Sequence, residues 1–547
     1  MKKKTKTIIG ITVIAVIALG IYYYLALPAI NIHSTGFWKC VLFIIGVVTA
    51  VLSVRKFRKD YTQVTIKITP IELIKSMKVL KRGLIVFGIV FAVYLIGGVL
   101  SSPIINASKY QKLLTVQESD FTEDIAQVDY NTIPLLDKDS AELLGNRKMG
   151  SMVDMVSQFE VGGDYTQINY QDMPVRVTPL VYANDIKWLT NQDEGIPAYI
   201  KIDMATQDTE CVKLEESIRY SKSEHFNRNI YRHLRFQYPT YIFDDQIFFE
   251  IDDEGTPYWV CPVKKFNIGL FGGETIGKVV LCNAITGECT KYEVEDVPSW
   301  IDKVYSAEML TKLYNYHGTL KHGYFNSILG QKDCLQATDG YNYIAKDDDV
   351  WVYTGVTSVN KDQSNVGFVL MNQRTMETKF YKVEGATENS AMASAEGQVQ
   401  NLGYKAAFPL LLNISDEPTY FMALKDSGGL VKKYAMVNVE KYQWVAIGDT
   451  VKDCEKAYME LLATNGIQQS DTSDIYDSIT GKITTIAPIV IEGNTHYYIG
   501  IEGSADLFDV NISDAALVKI VRFAEGDVIT LQYVKEESGL HTVKAIE

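Results

Sequence analysis

Two cysteines, Cys282 and Cys289, flank the segment Asn-Ala-Ile-Thr-Gly-Glu and are the reactive pair with the most informative spacing. A four-residue loop would place them directly opposite each other on a β-hairpin, with their Cβ atoms close enough for a disulfide. The corresponding positions of a similar segment further along the chain are Met371 and Thr378, so such a hairpin does not require the bond. Two interpretations stay open, a disulfide and a pair of buried thiols.

Two acidic clusters are candidates for a metal site. They are Asp252, Asp253 and Glu254, and Asp347, Asp348 and Asp349. Clustered carboxylates can bind Ca²⁺, although neither cluster has the spacing of an EF-hand loop. Charged residues are also ordinary at the tips of hairpins. Solvated turns are therefore the alternative interpretation of both clusters.

The seven histidines are scattered and lack the spacing of metal ligands. His225 and His233 are eight residues apart, without the Glu-x-x-His pattern of zinc sites. We expect structural roles for the histidines, no cofactor and no catalytic residue, because no convergent catalytic set is recognisable. A pair of catalytic carboxylates stays open, since 65 acids follow residue 100 and their spacing alone carries no information.

A weak internal repeat surrounds these residues. The pattern Asp/Asn-x-x-Thr-x-Asp/Glu occurs within 202–210, 282–289 and 371–378, and a degraded copy starts at Asn438. Side-chain acceptors at the first position and at the Thr close short hairpin turns. Helix-like stretches separate the copies at 215–236, 298–317, 387–402 and 453–464. The sequence therefore predicts an α+β region over 107–464, built of about four units of a helix plus antiparallel hairpins.

The end of the chain has a different composition. Residues 465–474 have the composition of a linker, and 475–547 contain five or six short, strand-like runs. Such a segment is typical of a small β-barrel of the OB or SH3 type. No basic face accompanies its aromatic residues, so nucleic-acid binding is not expected.

Residues 1–106 are predicted to form a membrane domain. Three apolar runs, 8–26, 37–54 and 84–100, are each long enough to cross a bilayer as a helix. Residues 1–100 hold 14 Lys and Arg against two acids, whereas the whole chain has a net charge of −14. The residues after 100 therefore carry about −26.

The distribution of positive charge predicts the topology. Nine Lys and Arg lie in 55–82 and four at the N-terminus, but none lies in 28–35. The positive-inside rule then places the N-terminus and the 55–82 loop in the cytosol. Three crossings leave residues 101–547 outside the cell membrane.

Several phrases resemble a known family. They are Arg-His-Leu-Arg-Phe-Gln-Tyr-Pro-Thr (232–240), Phe-Glu-Ile-Asp-Asp-Glu-Gly-Thr-Pro-Tyr-Trp-Val (249–260), Asp-Val-Pro-Ser-Trp-Ile-Asp-Lys-Val-Tyr (296–305), Asp-Val-Trp-Val-Tyr-Thr-Gly-Val-Thr-Ser-Val (349–359) and Phe-Pro-Leu-Leu-Leu-Asn-Ile (408–414). These are similar to uncharacterised bacterial membrane proteins with a few N-terminal transmembrane helices and one large external α+β domain. Members are sometimes labelled colicin V production-like, and the resemblance, over most of 140–460, implies no catalytic residue.

The layout of a helix plus a hairpin, with Thr286–Glu288 at the turn, also resembles PepSY modules. That resemblance implies protease-regulatory or envelope-associated binding roles. The sequence thus favours a non-enzymatic, membrane-anchored protein that binds or scaffolds a protein, peptide or envelope component. The alternatives are an envelope sensor or signal transducer, and an envelope hydrolase that uses paired carboxylates.

Overall fold

The computed structural model describes residues 2–61, 70–128, 133–171, 173–359, 364–467, 477–491, 494–512, 517–534 and 539–546. Contacts between residues divide the chain into two units, Met1–Tyr458 and Met459–Glu547. Most of the predicted linker, residues 468–474, lies outside the described residues. Each unit is therefore considered by itself.

The first unit begins with helices. They are α1 (Lys2–Ala26), α2 (Thr35–Tyr61), α3 (Pro70–Leu100) and α4 (Pro103–Gln111). Two of them contain segments long and apolar enough to cross a membrane, Thr35–Ser53 and Met77–Leu100. In α1 the apolar segment among the described residues is shorter, Val16–Ala26. Two apolar helices are therefore found, and the third crossing at 8–26 stays a prediction.

The ends of these helices are joined to the rest of the first unit by hydrogen bonds. The Oγ of Ser101, just after α3, accepts the backbone N–H groups of Leu270 at 2.8 Å and Phe271 at 3.1 Å. The Nε of Arg235 donates to the carbonyl oxygen of Leu27, just after α1, at 2.9 Å. Both contacts satisfy backbone groups that a helix end or a tight turn leaves without partners.

A large, mostly β region with helices follows, as the sequence predicts. It opens with β1 (Gln117–Ser119), α5 (Phe121–Asp124) and α6 (Lys138–Gly150). The first sheet and its helices are β2 (Phe159–Val161), β3 (Thr166–Tyr170), β4 (Met173–Tyr182), α7 (Asp185–Asn191), β5 (Ile196–Asp203), β6 (Thr209–Ile218) and α8 (Ile230–Gln237). The second is β7 (Phe248–Ile251), β8 (Pro257–Ile268), β9 (Gly272–Asn283), β10 (Cys289–Glu293) and α9 (Ala307–Thr319).

Two more sheets follow in the chain. The third group contains β11 (Leu335–Ala337), β12 (Asn342–Lys346), β13 (Asp349–Ser358), β14 (Ser364–Asn365), β15 (Gly367–Asn372), β16 (Thr378–Tyr381), β17 (Gly385–Ala386) and α10 (Glu388–Gln398). In it β1 joins β16 in parallel, and β14 pairs with β17 as a separate ribbon. The fourth contains β18 (Lys405–Ala406), β19 (Leu410–Ile414), β20 (Glu417–Lys425), β21 (Val431–Asn438), β22 (Val445–Gly448) and α11 (Val451–Thr464).

One structural repeat recurs in all four sheets. It consists of four antiparallel strands followed by a helix: β3–β6 with α8, β7–β10 with α9, β12, β13, β15 and β16 with α10, and β19–β22 with α11. A two-residue or longer turn joins the first two strands, and the recurring sequence motif joins the last two. In the repeat of β7–β10, Asn283 Oδ1 accepts the N–H groups of Ile285 and Thr286, both at 2.9 Å.

The same hydrogen bonds close the corresponding turns in the repeats of β3–β6 and of β12–β16. Asp203 and Asn372 accept the corresponding N–H groups at 2.8–2.9 Å, and the Thr hydroxyl of each motif accepts one further N–H at 3.2 Å. These bonds are local and depend on residue type alone, so the sequence motif and the turn coincide.

The predicted helix over 215–236 is wrong in its first half. Strand β6 continues to Ile218, which pairs with Ile196 of β5. Helix α8 begins only after Asn229, whose side chain caps it. Helix α9 also begins later than the predicted 298–317, because Ser306 caps its first turn. A capping side chain sets the start of both helices, and for α8 strand pairing also outweighs helix propensity.

The sheets stack face to face and share three hydrophobic cores. Trp259 of β8 lies in a core with the first sheet and α8. Its neighbour Val260 points the opposite way, into a core with α9 and with Val352 of β13. Trp351 of β13 in turn lies in a third core with α10 and with Tyr420 of the fourth sheet. The second and third sheets are therefore buried on both faces, and their edges determine what is accessible.

The second unit of the chain contains β23 (Asp477–Ile491), β24 (Asn494–Ile501), β25 (Leu507–Asn511), β26 (Val528–Val534) and β27 (Leu540–Ile546). Strand β23 pairs with both β24 and β26, β24 with β25, β25 with β27 and β27 with β26. Side chains such as Ile499, Phe508 and Leu531 fill its core.

Candidate functional site

A cavity of about 1010 Å³ opens where the edge strands of the four stacked sheets meet. Each sheet supplies at least one lining residue from an edge strand: Thr166 from β3, Phe248 from β7, Tyr343 from β12 and Ala406 from β18. Because all four sheets contribute, the cavity depends on how the sheets stack rather than on any single unit.

Arg176, on β4, lies at the wall of this cavity with only 5% of its surface exposed. Its Nε donates to the carbonyl oxygen of Leu136 and its guanidinium also donates to Gln167 Oε1, both at 3.3 Å. Within the described residues no carboxylate forms an ion pair with it. A buried guanidinium with neutral partners only is an unusual arrangement, because buried charges are normally paired.

Lys303 is the second cation of the cavity and is also 5% exposed. Its Nζ lies 4.2 Å from the centre of the Tyr343 ring and 5.9 Å from that of Phe248. Among the residues that the structure describes, Nζ has neither a hydrogen-bond acceptor nor an ion-pair partner. Aromatic faces thus hold the ammonium group in place without neutralising it.

Glu250, on β7, holds the segment that carries Lys303. Its two carboxylate oxygens accept the backbone N–H groups of Asp302 and Lys303, each at 3.0 Å. Asp302 accepts the N–H of Asn169, on β3, at 2.6 Å through Oδ2. Both carboxyl groups are almost completely buried. These bonds join the first two sheets to the loop before α9 and fix the position of Lys303.

The carboxyl pair has altered acidity. Burial raises the pKa of Glu250 to about 7. Burial, and then the neighbouring charge of Glu250, raise the pKa of Asp302 well above its usual value. Asp302 Oδ1 has no hydrogen-bond partner among the described residues, whereas both oxygens of Glu250 accept N–H groups. Of the two groups, Asp302 is therefore the one that its surroundings favour most strongly in the protonated form.

The surroundings of Arg176 and Lys303 disfavour the charged forms of both side chains. Burial, followed by repulsion from Arg176, lowers the pKa of Lys303 to about 7. Burial also lowers the pKa of Arg176. An anion in the cavity would lie beside both groups and would favour their charged forms. A bound anion would therefore stabilise Arg176 and Lys303 in their charged forms.

The rest of the lining combines six aromatic residues with charged residues of both signs, and the acidic ones are Asp137, Asp139, Asp164, Asp245 and Glu308. The aromatic residues are Tyr165, Tyr231, Phe248, Tyr341, Tyr343 and Phe408. At the rim Lys222 pairs with Asp164 at 2.8 Å, and Lys425 pairs with Asp137. Lys222 and Lys425 thus have carboxylate partners, in contrast to Arg176 and Lys303.

The first predicted acidic cluster, Asp252–Glu254, forms the turn between β7 and β8. Asp252 Oδ1 accepts the N–H groups of Glu254 at 3.2 Å and of Thr256 at 2.7 Å. The carbonyl oxygen of Asp253 accepts the Tyr170 hydroxyl at 3.3 Å. Asp252 therefore has a structural role in closing the turn.

The second acidic cluster is divided between a turn and an ion pair. Asp347 and Asp348 adopt left-handed conformations, with φ of 54° and 61°, between β12 and β13. Asp348 accepts the side-chain amide of Asn169 at 2.9 Å. Asp349 binds the guanidinium of Arg374 through both oxygens, at 2.6 and 2.8 Å. In the described part of the chain neither cluster brings three ligand atoms together, and Ca²⁺ binding stays a prediction.

Cys282 and Cys289 lie directly opposite each other on β9 and β10. Both are free thiols in the structure, and the predicted disulfide stays a prediction. Neither thiol lines the cavity of Arg176 and Lys303.

The sequence-based candidates do not include the four charged residues described above, which are Arg176, Glu250, Asp302 and Lys303. Arg176 and Glu250 each interrupt an apolar strand, in Pro-Val-Arg-Val-Thr and Phe-Phe-Glu-Ile. A charge at an inward-facing strand position is the signal that marks them. Asp302 and Lys303 follow an irregular segment, and no local pattern distinguishes them from surface charges.

Comparison with known protein families finds no match, and comparison with curated protein sequences finds none either. The function is therefore inferred from the geometry of the site.

Proposed function

We propose that the protein is a non-enzymatic, membrane-anchored, extracytoplasmic binding protein whose cavity binds a small organic anion. The observation that carries this proposal is the presence of two buried cations, Arg176 and Lys303, that face one cavity and form no ion pair with any of the described residues. A buried charge without a partner lowers the stability of a folded protein, so such residues are typical of sites that a ligand completes.

The chemistry of the lining narrows the class of ligand. A guanidinium and an ammonium group bind carboxylate or phosphate through charge-assisted hydrogen bonds. The six aromatic side chains favour a ligand with an apolar or ring-bearing part. The volume of about 1010 Å³ matches a small molecule or a short peptide terminus rather than a folded partner.

The charge of the whole protein adds a further restriction. The residues after 100 carry about −26, so their field repels long polyanions at low ionic strength. That field is screened over about 8–10 Å at physiological salt, and a compact anion is repelled less. The proposed ligand is therefore a small anion rather than an anionic wall polymer.

Ligand-induced stabilisation of the full-length, detergent-solubilised protein tests this proposal. The probes are benzoate, phenyl phosphate and inorganic phosphate, with neutral benzyl alcohol and cationic benzylamine as matched controls. A ligand at 100 times its Kd adds about 2.7 kcal/mol to the free energy of unfolding. We expect the ring-bearing anions to raise the Tm most, phosphate less, and the neutral and cationic rings not at all. Equal effects of anions and their neutral analogues would contradict the proposal.

We also propose that the three segments 8–26, 37–54 and 84–100 cross the cell membrane, with 101–547 outside. Two apolar helices and the charges of 55–82 support this topology. Alkaline phosphatase, which is active only outside the cytosol, is expected to be active when fused within 28–35 or after 547. The same enzyme fused within 55–82 is expected to be inactive. Activity at 55–82, or inactivity after 547, would contradict this topology.

The C-terminal unit is, in this proposal, a small barrel of the OB or SH3 type. The return of the strand pairing from β26 to β23 supports that assignment. The alternative of a hydrolase with paired carboxylates is less well supported. Glu250 and Asp302 form the buried pair, but neither lines the cavity, and both oxygens of Glu250 accept backbone N–H groups.

A further inference from the structure

A second cluster of reactive side chains lies in the first unit, apart from the cavity. His233, Cys282 and Cys289 each offer one ligand atom, and these three atoms lie within 4.8 Å of one another. In the part of the chain that the structure describes, this is the one group of three or more such side chains that converges. His233 lies far from the two cysteines in sequence, which explains why spacing alone does not reveal it as a third member.

Two different elements hold the cluster together. Cys282 is the last residue but one of β9, and Cys289 begins β10. The two residues pair across the hairpin whose turn Asn283 closes. His233 comes from α8, and its ring lies 4.4 Å from the ring of Tyr220. Its Nε2 donates to the carbonyl oxygen of Gly287, in the same turn, at 2.7 Å. The imidazole is thus oriented by a backbone carbonyl, as metal-binding histidines commonly are.

The donor set is that of a tetrahedral zinc centre. Zn²⁺ binds thiolate sulfur at about 2.3 Å and imidazole nitrogen at about 2.0–2.1 Å, so the ligand atoms around one ion lie roughly 3.5–3.8 Å apart. Shifts of about 1 Å, within reach of side-chain rotation, would bring the three atoms to that spacing. Two thiolates neutralise the charge of Zn²⁺, which suits a site in which Cys282 is completely buried.

A disulfide explains fewer of the observations. Asn283 N–H donates to the carbonyl oxygen of Glu288, so the adjacent pair, Cys282 and Cys289, occupies a non-hydrogen-bonded position where a disulfide is geometrically possible. A disulfide, however, gives no role to the histidine that α8 brings to both thiols. The corresponding positions are Ile202 and Thr209 in the repeat of β3–β6, and Met371 and Thr378 in the repeat of β12–β16. Of the repeats compared, only the hairpin of β9 and β10 therefore has this cluster, and the shared fold does not require it.

We propose that His233, Cys282 and Cys289 form a Zn²⁺ site with three protein ligands and a fourth coordination position open to water or an external ligand. This site is independent of the anion cavity, since none of its ligands lines that cavity.

Metal content and thiol protection test the site in the full-length, detergent-solubilised protein. The reduced protein is loaded with Zn²⁺, dialysed, and its metal content is measured together with the maleimide reactivity of each cysteine. We expect one Zn²⁺ per chain, with Cys282 and Cys289 protected. Co²⁺ loaded instead should give thiolate charge-transfer absorption and the visible bands of tetrahedral coordination. Cys289→Ser and His233→Ala should each weaken binding by more than about 100-fold, since even outer-shell changes cost 10–100-fold.

Cys211→Ser is the matched control, because Cys211 is a partly exposed thiol of β6 that lies outside the cluster. It should bind Zn²⁺ like the wild type. Three results would overturn the proposal: less than one tenth of an equivalent of Zn²⁺ in the reduced wild type, undiminished binding in both cluster variants, or a Cys282–Cys289 disulfide in protein taken from its native membrane without reductant. Protection in the wild type needs no variant, so a variant that fails to fold does not weaken the test.

Discussion

Replacing Lys303 by Met, or Arg176 by Gln, is expected to weaken binding of a ring-bearing anion by at least roughly 30-fold. Each substitution removes one partner of a desolvated charge pair, a loss of about 2–5 kcal/mol. Both cations lie at the cavity wall and are 5% exposed, so their interactions with a bound anion are largely desolvated. Calorimetric titration of each variant with phenyl phosphate measures the effect directly.

The stability of the ligand-free variants separates a binding role from a structural one. Lys303 forms no ion pair among the described residues, and burial lowers its pKa to about 7 against the opposing charges of Glu250 and Asp302. Lys303→Met should therefore leave the Tm unchanged or raise it while binding is lost. Lys213→Gln is the control, because Lys213 forms an exposed ion pair with Asp154 and should affect neither quantity. A large fall in Tm with unchanged binding would assign Lys303 a structural role.

Asp302→Asn is expected to stabilise the protein in a pH-dependent manner. Burial and the charge of Glu250 raise the pKa of Asp302, so the folded protein keeps a proton that the unfolded chain releases above about pH 4. The free energy of unfolding of the wild type therefore falls as pH rises from about 4 towards the raised pKa, by up to about 1.4 kcal/mol per pH unit. Asn has no such proton and can still accept the N–H of Asn169.

Thermal unfolding of both proteins between pH 4 and pH 8 checks this result. The Tm values should be similar near pH 4 and should diverge as pH rises, with the variant more stable. Asp349→Asn is the matched control of opposite sign, because Asp349 binds Arg374 through both oxygens and is 5% exposed. That variant should lose roughly 3–5 kcal/mol. A pH-independent difference for Asp302→Asn would mean that Asp302 is ionised in the folded protein.

The features predicted correctly from sequence are those that local chemistry determines. The turn around Asn283 depends on its own side chain and on the N–H groups two and three residues later. The apolar helices Thr35–Ser53 and Met77–Leu100 depend on length and composition. Helix 215–236 is predicted wrongly because pairing of β6 with β5 extends the strand to Ile218, and pairing is not a local property.

The candidate sites depend on contacts between distant segments, which explains why the sequence does not reveal them. Lys303 faces the cavity because Glu250, 53 residues earlier in the chain, binds its backbone N–H. His233 reaches Cys282 and Cys289 because α8 lies beside the hairpin of β9 and β10. The spacing of Cys282 and Cys289 predicts that they face each other, but it contains no information about a third ligand.

The structure of the full-length protein with phenyl phosphate bound tests the central claim most directly. The proposed function predicts a phosphate oxygen within about 2.7–2.9 Å of both the Arg176 guanidinium and Lys303 Nζ. It also predicts that the phenyl ring lies among Tyr343, Phe248 and Phe408. A ligand bound at another surface, or a cavity in which Arg176 and Lys303 contact only water and protein atoms at saturating ligand, would contradict it.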